Sequence, residues 1–381
     1  MPVNAQSCTG NPIKVENCLS GTTNWQIPVT NTGTPPFPVG NHEVEGYADK
    51  VSVEPGQRIN FHLSVWTPPT VLPPFPAQQP HDVEINIYRL GYYNGSGARE
   101  LTDPAHPILV PNVPWGGFPS FSPDLNPQPE GSGMGLTACN WDNLTAAHWD
   151  VPSDAVSGIY IAKLTRVDNQ HQSYISFAVK KPNQTSDVLF QQAVTVYQAY
   201  NEYPGIVYAG PAPTPGATPT IIARGKSLYT GSSDDEPTIA GHTQARKVSF
   251  NRPYSGGDEF GVYNTAGASF FNYEYPLIRW LEKEGYDVSY VTDIDTHTDG
   301  ASLLAAGKHK VFLSNGHDEY WSYEMRLNVQ NARDRTDQPI NLGFFGANIS
   351  YWQIRLASSN NDTKPAGAAN RTIVCFKERY D

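Results

Sequence analysis

Residues 273–293, YEYPLIRWLEKEGYDVSYVTD, decide how the second half of this chain is read. Pro276 stands where the first turn of a helix tolerates a residue without an N–H, and Gly285 follows where helices commonly stop. Leu277, Trp280, Leu281 and Glu284 fall at helical spacing, and the first three are expected to form the buried stripe. YDVSYVTD (286–293) then reads as a strand. The same grammar continues downstream. Ala301–Ala306 reads as a short helix stopped by Gly307, and VFLS (311–314) as a buried strand. Ser322 caps a helix whose Met325, Val329 and Ala332 share one face, and INLGFF (340–345) and TIVCF (372–376) read as strands. Upstream, VLF (188–190) is a short apolar strand. Strands alternating with helices imply right-handed crossovers and a doubly wound parallel sheet.

The first half has a different period. Val51, Val53, Ile59, Phe61, Leu63 and Val65 alternate with polar residues across the turn EPGQ. Val83, Ile85 and Ile87 alternate again, as do Ile159 and Ile161, then Ile175, Phe177 and Val179 across VDNQHQ. Period-two patterning with Gly, Pro and Asn punctuation predicts an antiparallel β-sandwich, immunoglobulin-like or jelly-roll-like. Pro-rich insertions at 67–80 and 104–129 read as surface loops. KKPNQTSD (180–187) marks the change of grammar. The expected division is a sandwich over 1–182 and an α/β domain over 187–381, the two-domain count that 381 residues suggests. Region 203–270 shows little periodicity and is too long for an ordinary loop.

Composition narrows the function classes. Lys and Arg number 26 against 37 Asp and Glu, a net charge of −11, with no basic run, so nucleic acid and anionic membranes are not expected partners. No stretch of 18 apolar residues exists, so membrane insertion is not expected. The start MPVNAQSCTGNP carries no signal peptide. Six N-x-S/T sequons, at Asn94, Asn143, Asn183, Asn348, Asn361 and Asn370, and the Tyr- and Trp-rich composition still favour an extracellular protein. The cysteines are Cys8, Cys18, Cys139 and Cys375. A Cys8–Cys18 bridge and four free thiols stand as equal alternatives.

The chemistry concentrates in Asn315-Gly316-His317-Asp318-Glu319-Tyr320-Trp321, between a buried strand and a capped helix. Open α/β sheets bind ligands beyond the carboxyl ends of their strands, and the following helix start favours negative charge. His317, Asp318 and Glu319 are therefore the candidate catalytic groups. Asp293, Asp295 and His297 follow one neighbouring strand, and Asn348, Tyr351 and Trp352 follow another. Asp293, Asn348, Tyr351 and Trp352 are candidate substrate contacts. A polar turn at the motif, capping at Asp293, and packing of Tyr351 and Trp352 are the blander alternatives. No GxSxG or GxCxG elbow, GxGxxG, P-loop or HExxH is present, which argues against acyl-enzyme, dinucleotide and P-loop chemistry.

NPIKVENCLSGT, INIYRLGYYNGSGAR, SGIYIAKL, VYQAYN, KVSFNRPY, NYEYPLIRWLEKEGYDVSYVTDIDT, FLSNGHDEYWS, NLGFFGANISYW and NRTIVCFKE occur in that order along nearly the whole chain. Together they resemble proteins with an N,N-dimethylformamidase large (beta) subunit-like C-terminal domain, the secreted bacterial branch in particular. The resemblance implies that the α/β domain is similar to class I glutamine amidotransferases without their Cys nucleophile. It also implies an amide hydrolase using a mononuclear ferric ion held by two tyrosines and a glutamate. On this reading Tyr320 and Tyr275, the latter interchangeable with Tyr273, are the tyrosine ligands, and the glutamate lies beyond Asp381. His317 or Glu319 serves as general base and Asp318 orients His317. The expected partner is a small-molecule amide or another extracellular substrate, and a homo-oligomer is compatible with the sequence. A carboxylate-dependent, metal-free hydrolase, of a glycan or another substrate, and a non-catalytic surface or binding module are the alternatives.

Overall fold

The computed structural model describes residues 8–27, 43–67, 77–117, 120–121, 136–208, 221–229, 245–254, 270–360 and 363–377. Residues 68–76 of the first Pro-rich insertion and most of 203–270 lie outside the described residues. The second insertion, expected to be a surface loop, is described over 104–117 and 120–121, and its Ile108–Val113 is a strand paired antiparallel with His81–Leu90. The chain is mixed α/β.

The period-two strands of the first half form two sheets. Glu45–Ala48, Arg58–Ser64 and Asn143–Asp150 make one antiparallel sheet. Gly158–Arg166 is central in the other, paired antiparallel with Gln172–Val179 on one side and His81–Leu90 on the other. Only Ser52–Val53 joins this second sheet in parallel. The alternating residues face each other between the sheets: Ile59, Phe61, Val83, Ile85 and Ile87 are fully buried. Phe61 meets Phe177 with ring centroids 6.1 Å apart, and Trp149 meets Tyr160 at 5.8 Å. Burying apolar surface, these rings included, between the sheets is the dominant favourable contribution to such a half.

The second half is built on four parallel strands in the order Val288–Thr292, Ser186–Gln192, His309–Gly316, Asn341–Gly346. Beside it, Tyr320–Ser322 pairs in parallel with Trp352–Ala357 and opens a second, mixed sheet that continues through Thr372–Val374 to Lys247–Ser249. The expected strand at 372–376 thus belongs to this smaller sheet. Helix Tyr323–Asp334 has its Ser322 cap, and Met325, Val329 and Ala332 are buried as its spacing predicts.

Two sequence expectations are corrected. Helix Tyr275–Glu284 ends at Gly285 as expected, with φ +75°, but its buried residues are Tyr275, Ile278, Leu281 and Glu282. Trp280 is 48% exposed and packs on Tyr286 instead. The helix is rotated because Glu282 is drawn inward: its carboxylate accepts from Arg89, Asn17 and the Tyr290 hydroxyl at 2.8–3.0 Å. The second correction is that the short helix expected at Ala301–Ala306 is the end of a longer one that starts at Asp293. Asp293–Leu303 is one helix, because Thr292 and Asp295 form a reciprocal capping box at its start.

The halves share a seam. One apolar cluster runs from Ile13, Trp25, Leu90 and Ile161 into Phe190, Ile278 and Tyr290. Arg89 and Glu282 form an ion pair across it at 2.8 Å with both side chains fully buried. The structure joins Cys8 to Cys18, with Cα atoms 5.7 Å apart, whereas Cys139 and Cys375 are buried thiols outside any disulfide.

Candidate functional site

The HDEYW motif carries the chain from the end of strand His309–Gly316 into strand Tyr320–Ser322. Gly316 takes φ +81°, a conformation that suits glycine, and the turn closes by the Glu319 amide donating to the His317 carbonyl at 2.8 Å. The Ser350 and Trp352 amides donate to the carbonyls of Asp318 and Glu319, so the neighbouring loop fixes the turn. The motif's side chains go to two different environments. Asp318 enters the interior, while His317 and Glu319 meet one another.

Glu319 is the hub. Its Oε2 accepts from the Tyr229 hydroxyl at 2.7 Å and the Tyr200 hydroxyl at 3.1 Å, and lies 3.3 Å from His317 Nε2. Tyr320 donates to the Tyr229 hydroxyl at 2.6 Å. The Tyr200 and Tyr229 rings stack with centroids 4.1 Å apart. Burial alone would raise the Glu319 carboxyl, but hydrogen bonds from His317 and Tyr229, the His317 charge and Tyr200 outweigh it and hold it below the usual range. Burial raises the Tyr200, Tyr229 and Tyr320 phenols, with the neighbouring Glu319 charge adding to the rise. The Lys377 ammonium lies 3.0 Å from the Tyr229 ring centroid and 5.0 Å from that of Tyr320. Burial pushes it down to about 8 against the pull of Glu319. His317 remains partly open to solvent, and Asn348 Nδ2 lies 3.3 Å from its Nε2.

Beneath the hub are three buried carboxyls without a cation. Asp318 Oδ2 accepts from Gln191 and Ser314, both at 2.7 Å. Asp293 Oδ2 accepts from the Thr195 amide and hydroxyl at 2.8 and 2.5 Å, and Glu274 Oε1 from the Ala193 amide at 2.8 Å. The second oxygen of each has no hydrogen-bond partner. Burial raises all three, and mutual repulsion pushes Asp293 and Glu274 further up.

The sequence candidates therefore separate. His317, Glu319, Tyr320 and Asn348 come together, with Trp352 alongside through Lys377. Tyr351 is 66% exposed and packs edge-on against Trp352. Asp293 is fully buried and faces Thr195 rather than a cleft. Asp318 does not orient His317; its bonds go to Gln191 and Ser314, and His317 is held by Glu319 and Asn348. The Tyr275 hydroxyl donates to the Gly97 carbonyl at 2.9 Å, and its ring packs on Trp25 and Phe271. That phenol is engaged at the seam. Tyr273 is 40% exposed, and its carbonyl accepts from Asn315.

Sequence reading passed over Tyr200 and Tyr229. Tyr200 follows helix Val194–Ala199, just beyond the carboxyl end of strand Ser186–Gln192. That is the position at which such sheets place function, and VYQAYN contains it. Tyr229 falls in the aperiodic region 203–270, where spacing offers no signal. Among the described residues, no group of three or more His, Cys, Asp or Glu side chains could hold a metal ion. The convergence at Glu319 is instead one carboxylate with phenols.

The family described as N,N-dimethylformamidase beta subunit-like, C-terminal, matches residues 84–381. No curated protein matches the chain. Among solved structures, a Paenibacillus cycloisomaltooligosaccharide glucanotransferase is 11% identical, with TM-score 0.20, covering 49% of this chain and 23% of its own. A Pseudomonas fluorescens alkylpurine DNA glycosylase is 13% identical, with TM-score 0.19, covering 36% and 31%. A family 123 glycoside hydrolase from Clostridium perfringens is 15% identical, with TM-score 0.15, covering 42% and 30%. At these scores none carries an argument about fold or activity, and the chain spans under a third of each.

Proposed function

The chain belongs to the N,N-dimethylformamidase beta subunit-like, C-terminal family, and on that premise we propose that it is an amide hydrolase whose site takes one ferric ion. The observation that carries this reading is Glu319 receiving both the Tyr200 and Tyr229 hydroxyls on one oxygen. Two tyrosines and a glutamate are the donor set the family resemblance implies. Glu319 then fills the role expected of a residue beyond Asp381, and Tyr200 and Tyr229 fill those expected of Tyr320 and Tyr275. The fit is chemical. Glu319 is anionic, and the protons between it and the two phenols are those a hard cation displaces when it binds. When bound, such an ion supplies Lewis acidity toward an amide carbonyl and a water.

The chain's own residues handle protons. His317 Nε2 stands between an acceptor, Glu319, and a donor, Asn348. Neutral, its Nε2 lone pair accepts from Asn348, and once that contact is released it takes a proton from an attacking water. Protonated, it donates to Glu319 and can pass that proton to the leaving amine. Tyr320 donates to Tyr229 and so fixes the orientation of that phenol. The substrate class is a small-molecule amide. We further read the two facing sheets as a sandwich over about 1–182 and the parallel sheet as glutamine amidotransferase-like over about 187–381. The Cys8–Cys18 bond supports an extracellular location.

The test is proton release on iron loading, followed by calorimetry in buffers of different ionisation enthalpy, with a visible spectrum alongside. The expected result is about two protons released per iron at neutral pH, with a tyrosinate-to-iron band. Tyr229→Phe and Tyr200→Phe each remove one proton and weaken binding, while Tyr275→Phe changes neither. Stoichiometric iron binding unaltered in both Tyr200→Phe and Tyr229→Phe would sink the assignment.

A further inference from the structure

Away from the hub, the seam holds two more buried arginines that are treated unlike Arg89. Arg252 and Arg371 are 1% and 4% exposed. Every group they bond is neutral. Arg371 donates to Asn251 Oδ1 and the carbonyls of Ala48 and Phe250, each at 2.8 Å. Arg252 donates to Gln198 Oε1, the Lys226 carbonyl and the Gln198 carbonyl at 3.0–3.3 Å. Among the described residues neither forms an ion pair, and Arg371 Nη1 makes no hydrogen bond. Asp49 acts on Arg371 and Glu202 on Arg252 through space only, and both Asp49 oxygens are taken by Asn60.

Arg252 and Arg371 line one small cleft with about 20 Å3 of internal space, together with Lys50, Tyr47, Tyr254 and Ser176. Arg252, Arg371 and Lys50 are among its lining residues, the Lys50 ammonium turning away to the Arg58 carbonyl, and no Asp or Glu lines it. Its walls come from both halves of the chain: strands Glu45–Ala48 and Gln172–Val179 on one side, residues 250–254 and Arg371 on the other. A buried cation without a counter-charge is costly, and a guanidinium with a free N–H edge is suited to a planar or spherical anion. That space is little more than a water molecule needs, which limits the occupant to a compact ion.

We propose that this cleft is a binding site for a compact monovalent anion, a halide or a short carboxylate, held by Arg371 Nη1 and Arg252 and tying the two halves together. Burial lowers both arginines to about 10, the direction expected of cations awaiting a counter-charge.

The test uses the whole chain in sodium gluconate, an anion too bulky for the cleft, at constant ionic strength. Bromide or formate is then exchanged in, and thermal unfolding is followed. The melting temperature is expected to rise by about 3–6 °C and saturate. Saturation with both anions assigns any compact anion; with formate alone, a carboxylate. Ser176→Phe fills the cleft and should abolish the rise. Arg371→Lys keeps the charge but loses the fork, and should raise the half-saturating concentration at least tenfold. Because Arg371 variants can misfold, anomalous diffraction from bromide-soaked crystals of the unaltered protein gives a second readout, with a peak between the two arginines expected. Equal melting temperatures in all three anions, an unchanged rise in Ser176→Phe, or a cleft left empty in both bromide- and formate-soaked crystals would each overturn the site.

Discussion

Arg89–Glu282 at the seam and Asp293, Asp318 and Glu274 under the hub bury charge by opposite rules. Glu282 is fully buried, but a guanidinium, an amide and a phenol satisfy both its oxygens. Burial works against the Arg89 charge, and Glu282, with Glu16 and Tyr93 behind it, holds that charge in place. The three acids under the hub have no cation, keep one oxygen unbonded each, and are pushed toward the neutral form. The first arrangement is a rivet between the halves. The second keeps three carboxyls that burial pushes toward the neutral form beneath Glu319, whose partners hold it below the usual range. A residue's letter does not say which role it takes; the partner brought to it does.

The comparison can be broken most sharply at the rivet. Glu282→Ala leaves Arg89 buried and unpaired and should cost about 3–5 kcal/mol in denaturant unfolding. A further Arg89→Met should recover much of that loss, and a single variant costing under about 1 kcal/mol would show that the pair is not what joins the halves.

At the hub, His317→Gln should leave stability nearly unchanged but lower turnover of a small amide by roughly 10²–10⁴-fold. The readout is kcat at saturating substrate with iron content measured in parallel. Loss of iron in step with activity would make His317 a ligand rather than a proton carrier.

Asp293→Asn addresses the uncharged acids. A carboxyl raised in the folded state binds more protons there than in the unfolded chain, so its contribution to stability is fully present below the unfolded value and is lost as pH rises through the folded one. Asp293 and Glu274 are both raised from 3.8 and 4.5 respectively, so stability should decline as pH climbs above that range. Asp293→Asn should flatten part of that decline at a cost of about 1 kcal/mol or less at acid pH. A steeper decline in the variant would mean the carboxyl is charged.

The smallest effect is expected at Tyr275→Phe. It removes the single bond to the Gly97 carbonyl, worth about 1 kcal/mol, and should leave iron binding and turnover intact. A loss of iron there would restore the role that sequence reading gave this residue.

Local patterns were legible where the cause is local. The alternation from Val51 to Val65 and the Ser322 cap depend on neighbours a few residues away, and the structure keeps both. The HDEYW motif was legible as a cluster after a strand, and His317 and Glu319 do meet there. What misled was direction. Asp318 sits between them in sequence yet enters the interior, because the tight turn at Gly316 sends neighbouring side chains to different faces. Trp280 was assigned to the buried stripe on spacing, but Arg89, almost two hundred residues earlier, set the rotation of that helix by capturing Glu282.

By itself the sequence determined the two grammars, the family, and a histidine–carboxylate motif at a strand end, since these depend on periodicity and short-range order. Only the tertiary structure brought Tyr200 and Tyr229 to Glu319 and left Arg252 and Arg371 facing one cleft. Those meetings join residues some 90 to 120 positions apart. Hydrogen bonds and charges act over a few ångströms in space, and a linear pattern carries no record of which distant strand ends will be neighbours.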